Sequence, residues 1–384
     1  MVRDFTFTVP QEIIFGAGSL ARLPELLKKN NSDKALLISD RGLEKLGVVA
    51  KVADIVASSG MKCEAFLDVE ANPSCETVDK ATEAYKECGA SCIVALGGGS
   101  PMDVAKAVGI LNNFGGKTTD YEGPHKVPGK IVPIIAIPTT AGTGSETTPF
   151  VVITDHSRNY KLTIFSYETI PAYALLDPEL IYSLPPQIAA PTGIDALIHA
   201  IESYQSKWAS PFSDSMGEKA MELIGKNIRL FVADRSNKEA ASAMMAGSMF
   251  GGIAFAWARL GNCHAMAHPL GGFFNIPHGV ANAVLLPNVL EFNALADRGR
   301  YEKIYNYIKV GGDGCCGTFV PEMLVEEFKK LNKSLGIPDN LTSLGVKADK
   351  IHDMSVDAMK SGNVLVNPRQ TTLADIEALY EKTM

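Results

Sequence analysis

The chain has 384 residues, 46% hydrophobic and 21% charged, the balance of a globular protein long enough for two domains with cores. A net charge of −7 without a basic run argues against nucleic acid or an anionic membrane as partner. Seven cysteines, behind an N-terminus with no signal-peptide pattern, fit reduced thiols and a cytoplasmic location, and no apolar run approaches the about 18 residues of a spanning helix.

In chain order, residues 5–15 read as a strand, a turn at Pro10 and a second strand. Gly16 to Ser19 then opens a helix, with Ser19 placed to cap it. Strands are expected at 34–39, 62–67, 92–96 and 131–137, and helices at 48–59 and 75–88. This alternation with short links predicts a mostly parallel sheet with helices on its faces. Ligands of such sheets bind beyond the carboxyl ends of the strands.

Three strand ends carry the matching chemistry. Gly97, Gly98 and Gly99 precede Ser100, Pro101, Met102 and Asp103. The glycines let a phosphate reach the backbone, Ser100 suits a cap and Pro101 the first helical position, and a helix N-terminus favours an anion. A second loop of small and hydroxyl residues, with Thr139, Thr140 and Thr143, follows the strand ending at 137. Asp40 ends a third strand, where a carboxylate accepts from ribose hydroxyls and repels a 2′-phosphate. Singly these are also an ordinary turn, an ordinary loop and a helix cap, and Arg41 would welcome a 2′-phosphate. Together they suggest a dinucleotide.

From about residue 187 the texture becomes helical, with stretches at 188–204, 213–232, 238–255 and 261–273. The expected domains are therefore 1–187, α/β and dinucleotide-binding, and 188–384, all-helical, with the working site in the cleft between them. The helical part carries the densest chemistry. Asp195, His199 and Glu202 fall at i, i+4 and i+7 on one helical face, and His264 and His268 at i and i+4 on another. His278 follows, with Gly271 and Gly272 available to bend the chain and Pro277 interrupting it. Cys263 points about 100° from His264 and is not counted. So many ionisable groups among Ala, Leu, Ile and Gly would be costly to bury without a partner, and a divalent cation removes the difficulty. Imidazole with carboxylate suits Fe²⁺, Zn²⁺, Mn²⁺ or Ni²⁺. Spacing does not select which of the four histidines ligate.

The runs GGGSPMDVAK, IPTTAGTGSE, DPELIYSLPPQIAAPTGIDALIHAIE and HAMAHPLGGFFNIPHGVANAVLLP resemble, essentially end to end, the iron-containing (group III) alcohol dehydrogenases. The resemblance is to the branch that includes lactaldehyde reductase and 1,3-propanediol dehydrogenase. The resemblance implies the dehydroquinate synthase-like fold of that family and reversible hydride transfer between a short-chain alcohol or diol and NAD. It also implies Fe²⁺ or another divalent ion held by Asp195, His199, His264 and His278, and a homodimer or larger assembly. By the same resemblance His268 lies beside the nicotinamide on a proton path. Asp40, Asn72, Gly98 to Asp103, Thr139, Thr140, Thr143, Lys161 and Leu180 contact the cofactor, and Phe150, Phe255 and Leu260 lie at the substrate. The chain departs from its relatives at Trp257, Arg259 and Phe150, and a bulky apolar Phe150 narrows and dries the pocket. A lyase of the dehydroquinate synthase type and a non-catalytic NAD- or metal-binding regulator are the alternative functions.

Overall fold

The computed structural model describes residue 5 and residues 11–30, 32–158, 160–310 and 318–384. Apart from Phe5, the strand expected before Pro10 lies outside these residues, as do Cys315 and Cys316. The chain divides into two compact units, with the break between Leu184 and Pro185.

Among its described residues the first unit holds nine strands: β1 (Glu12–Phe15), β2 (Lys34–Ile38), β3 (Lys62–Phe66), β4 (Cys92–Gly97), β5 (Gly123–Pro124), β6 (Ile134–Pro138), β7 (Phe150–Asp155), β8 (Tyr160–Phe165) and β9 (Tyr173–Leu176). Its helices are α1 (Leu23–Lys29), α2 (Arg41–Lys45), α3 (Val48–Ser58), α4 (Cys75–Cys88) and α5 (Gly99–Phe114). Six strands form one sheet in the order β1-β9-β6-β4-β2-β3, with every pair parallel. Alternate residues of the central strands bury on opposite faces. Leu36, Ile38, Ile93, Ala95, Ile134 and Ala136 enter the core under α4 and α5. Ala35, Leu37, Val94, Leu96, Ile135 and Ile137 enter the core under α1 and α3. Both faces are covered, which is why these strands read as continuous apolar runs without alternation. From β2 the chain crosses to β3 on one side, while β4 leads to β6 on the other. The order thus reverses between β2 and β4, the point where doubly wound sheets open a crevice for ligands.

Several expectations need correction here. Ser19 caps nothing: a short 3-10 turn, Ser19–Arg22, precedes α1, and the Ser19 hydroxyl donates to Leu176 O at 3.1 Å. The strand expected at 131–137 begins at Ile134 and ends at Pro138. A second sheet, β5-β8-β7, was not read from the sequence. Its Val151, Ile153, Leu162 and Ile164 join the α5 side of the core. The alternation in these two strands is the period-2 pattern of a hairpin.

The second unit, Pro185–Met384, contains only helices among its described residues: α6 (Pro186–Gln205), α7 (Pro211–Ala233), α8 (Lys238–Ala258), α9 (Asn262–Phe274), α10 (His278–Asn293), α11 (Arg300–Ile308), α12 (Pro321–Ser334), α13 (Ile351–Ala358), α14 (Gly362–Val366) and α15 (Leu373–Thr383). Against the sequence reading, two of its helical stretches, Lys238–Ala258 and His278–Ala296, are long and apolar enough to cross a membrane by composition. The apolar window of the first is 72% buried within the protein, as in a core helix. The bend between His264 and His278 does not fall at Gly271 and Gly272, which lie inside α9. Asn275 ends α9 in the left-handed region with φ 53°, and Pro277 sits at the cap position of α10. Asn tolerates that region and Pro cannot continue a helix, so these residues outweigh two helical glycines. At the start of α10, a Cβ on Gly279 would stand 2.3 Å from Pro191 O of α6. Only glycine lets the two backbones approach this closely.

Candidate metal centre

The four predicted ligands come together within the helical unit. Asp195 and His199 lie one turn apart on α6, His264 in the first turn of α9, and His278 is the first residue of α10. Ligand-capable atoms of Asp195, His199 and His264 all lie within 4.8 Å of one another. From the Asp195 carboxylate, His199 Nε2 is 3.8 Å away, His264 Nε2 3.6 Å and His278 Nε2 3.9 Å. The His199 and His264 rings stack at 4.7 Å, and His264 and His278 are 5.3 Å apart. Asp195, His199 and His264 are buried, whereas His278 is a third exposed.

The other candidates take distinct places. His268 does not join the cluster around Asp195; its ring stacks on His278 at 5.4 Å. Phe255 packs against His199 at 4.5 Å, and Leu260 is buried between α8 and α9. Glu202 shares the α6 face with Asp195 and His199 but lies behind His264, accepting from its Nδ1 at 2.6 Å. Cys263 points away from the cluster, with its thiol against Asn282 O at 3.2 Å. Sequence reasoning missed Asn282, whose Nδ2 donates to Asp195 Oδ1 at 2.8 Å and lies 3.1 Å from His278 Nε2. Its position four residues after His278, one helical turn, was the available signal.

The electrostatics describe a site built around positive charge. Burial opposes ionisation of Asp195, but the facing imidazoles, His199 first, hold its carboxyl far below the ordinary range. Burial also opposes charge on His264, yet Asp195 and Glu202 raise it to about 9. Its Nε2 is buried with no hydrogen-bond partner among the described residues. A buried nitrogen in that state costs on the order of 1–3 kcal/mol. A divalent cation among these donors satisfies it, so the residues present fit a metal.

In the sheet unit, the predicted cofactor residues other than Asn72, Lys161 and Leu180 lie at the carboxyl ends of adjacent strands. Asp40 follows β2, Gly98 to Asp103 follow β4, and Thr139, Thr140 and Thr143 follow β6. The last two loops touch: a Cβ on Gly98 would lie 3.5 Å from Thr140 Oγ1, and one on Gly99 3.2 Å from Thr143 Cγ2. Ser100 and Pro101 are not the cap and first residue of α5, because Gly98 caps the helix and supplies no side-chain bond. The first turn of α5 therefore has no side-chain cap, an arrangement that can hold a phosphate. Asp103 is occupied within the protein: it accepts from Ser145 Oγ at 2.9 Å and from Val152 N at 3.0 Å. Buried Lys106 donates to Ser145 O, Thr148 O and Phe150 O, fixing the same loop to α5.

Asp40 caps α2, accepting from Leu43 N at 2.9 Å, so the cap reading of this residue holds. Arg41, the candidate for a 2′-phosphate, is taken up by Asp68 and Glu44. Asn72 and Lys161, distant in sequence, meet through Asn72 Oδ1 and Lys161 Nζ at 2.7 Å. Burial lowers Lys161 to about 8. Leu180 lies in the core under α1 and α3. Phe150, at the start of β7, packs on Phe165 at 5.2 Å.

A family model described as iron-containing alcohol dehydrogenase matches residues 10–178, and one described as the C-terminal part of the Fe-containing alcohol dehydrogenase family matches residues 189–384. The chain is 37% identical to lactaldehyde reductase of Escherichia coli K12 over 95% of this chain and 96% of that one. Its fold superposes on a crystal structure of 1,3-propanediol oxidoreductase with a TM-score of 0.95, at 35% identity and full coverage of both chains. It superposes on sulfoacetaldehyde reductase from Bifidobacterium kashiwanohense in complex with NAD⁺ with a TM-score of 0.89, at 30% identity and 99% coverage of both. These matches support neither the lyase nor the regulator considered from the sequence.

Proposed function

Since the chain belongs to the iron-containing alcohol dehydrogenase family, an NAD-dependent alcohol dehydrogenase or aldehyde reductase, we propose that Asp195, His199, His264 and His278 hold its catalytic cation. One observation carries the assignment: three imidazoles meet one carboxylate, and the buried His264 Nε2 has no other partner among the described residues. We assign Fe²⁺ as the ion; the same donors accept Zn²⁺.

A cation held by these four residues would supply Lewis acidity toward the substrate oxygen, and NAD bound at the strand-end loops would supply the hydride-transfer chemistry. The protein's residues do the rest. Phe255 packs on His199 and keeps that side of the site dry. His268, stacked on the part-exposed His278, carries the proton between the substrate oxygen and solvent. The open first turn of α5, Thr139, Thr140 and Thr143 bind the pyrophosphate, and Asp40 takes the ribose hydroxyls. Asn72, Lys161 and Leu180 complete the cofactor contacts. Phe150, backed by Phe165 in the sheet unit, is the aromatic substrate contact, and buried Leu260 of the helical unit is an apolar one. The substrate class is a short-chain alcohol or its aldehyde, with the less polar members favoured by Phe150.

The test is metal analysis of anaerobically purified protein, with absorbance at 340 nm followed for propanal, lactaldehyde, 1,2-propanediol and 1,3-propanediol. One metal equivalent and NAD-linked turnover, fastest for propanal, is the expected result. Turnover by fully demetallated protein contradicts the proposal.

A further inference from the structure

We propose that Glu202 is the residue that positions His264 for metal binding, doing so by closing the start of α9 and fixing the imidazole tautomer in one contact. Glu202 is no ligand in the assignment above, and the inference rests on that assignment.

Helix α9 begins without a cap of its own. Its cap position is Gly261, which offers no side chain, so the N–H groups of Asn262, Cys263 and His264 need outside acceptors. Glu202 reaches across from α6, 4% exposed, and Oε1 accepts from Cys263 N at 2.7 Å. Oε2 accepts from His264 Nδ1 at 2.6 Å and lies 3.4 Å from His264 N. Asn262 N donates to Asn367 Oδ1 at 3.2 Å. The fit explains Gly261: a Cβ there would lie 2.8 Å from Glu202 Oε1 and 3.0 Å from Asn367 Oδ1.

The consequence for His264 is chemical. A neutral imidazole carries its proton on either nitrogen, and only the other nitrogen has a lone pair for a cation. A carboxylate 2.6 Å from Nδ1 holds a proton there, so Nε2, which faces Asp195, is the nitrogen available to a cation. It also fixes the ring's rotation and makes the imidazole a stronger donor. The same carboxylate bonds the backbone of the ligand-bearing turn, so the orientation of the ring and the seat of α9 are set together. A glutamine has one acceptor oxygen for these donors, and an aspartate is one methylene short.

The experiment compares wild-type protein with Glu202→Gln, using Zn²⁺ as probe in competition with a chromophoric chelator and Co²⁺ for the visible spectrum. We expect the Zn²⁺ dissociation constant to rise about 10- to 100-fold. Under saturating Co²⁺ the ligand-field bands should change in position or intensity, which a residue that only stabilised the fold would not cause. NAD binding by the same variant should match wild type. Zn²⁺ affinity within twofold of wild type, with an unchanged Co²⁺ spectrum, overturns the proposal. Should Glu202→Gln fail to fold, Glu202→Asp is measured instead, with the same expected loss and the same overturning result. If Asp195→Asn leaves metal affinity intact, the ligand assignment fails; if only the Glu202 variants do, it stands and this inference falls.

Discussion

His264 concentrates the argument at the scale of single residues. It is buried, faces Asp195, and has an Nε2 with no other partner among the described residues. Truncation to alanine is expected to abolish metal binding and turnover together while NAD still binds; metal analysis and a fluorescence titration of NADH read both. Asp40 and Arg41 make a second residue-level prediction. Because Arg41 is held by Asp68 and Glu44, it does not offset the carboxylate of Asp40. The enzyme should prefer NAD, and Asp40→Ser should raise kcat/KM for NADP at least about 10-fold, the effect of about 1.4 kcal/mol of removed repulsion. Comparable kcat/KM for both cofactors in the wild type removes the claim. Glu146 supplies a third. Burial raises its carboxyl to about 7, against the opposing pull of its own backbone N–H and of Lys106. The folded state therefore holds this proton more tightly than the unfolded chain. The contribution to stability is present below about 4.5 and is lost as pH rises through about 7. Glu146→Gln should gain stability relative to wild type between pH 5 and 8, read as a urea midpoint at each pH. A constant difference across that range contradicts it.

At the scale of elements, helix starts and close contacts decide where the chemistry sits. Helix α5 begins at a glycine that offers no cap, and α9 does the same, so each leaves first-turn N–H groups for something else to satisfy. In α5 that is the proposed pyrophosphate; in α9 it is Glu202 and Asn367. The start of α10 is set by Gly279 against Pro191 O. Gly279→Ala should push α10 off α6, carry His278 from Asp195, and cost about 1–3 kcal/mol of stability as an overpacked site. Weakened Zn²⁺ binding with a lower melting temperature is the expected pair of results, and an unchanged Zn²⁺ affinity would show that His278 is not placed by this contact. These contacts also mark what the sequence could and could not reveal. Spacing found the parallel sheet, the strand-end loops and the histidine-rich segments, because each is a local pattern. It misplaced the cap of α5 and the bend before His278, because a glycine signals several backbone states and only packing selects one. It also passed over β7 and β8, whose alternation spans only six residues each.

At the scale of the whole molecule, the roles divide between the two compact units. The sheet unit carries the strand-end loops, and the helical unit carries the cluster around Asp195. Residue patterns alone suggested a cation and a dinucleotide, but could not separate His268 from the four proposed ligands, since i, i+4 spacing puts it on the face of His264. Three-dimensional placement separates them: His264 Nε2 lies 3.6 Å from the Asp195 carboxylate, whereas the His268 ring stacks on that of His278. The role of Glu202 was equally hidden, since the face it shares with Asp195 and His199 does not say which side of His264 it reaches. Anomalous diffraction from crystals of the metal-loaded protein tests the central claim most directly. One peak per chain is expected, about 2.0–2.2 Å from a carboxylate oxygen of Asp195 and from one ring nitrogen each of His199, His264 and His278. A peak elsewhere, or one that leaves any of these four beyond bonding distance, contradicts it.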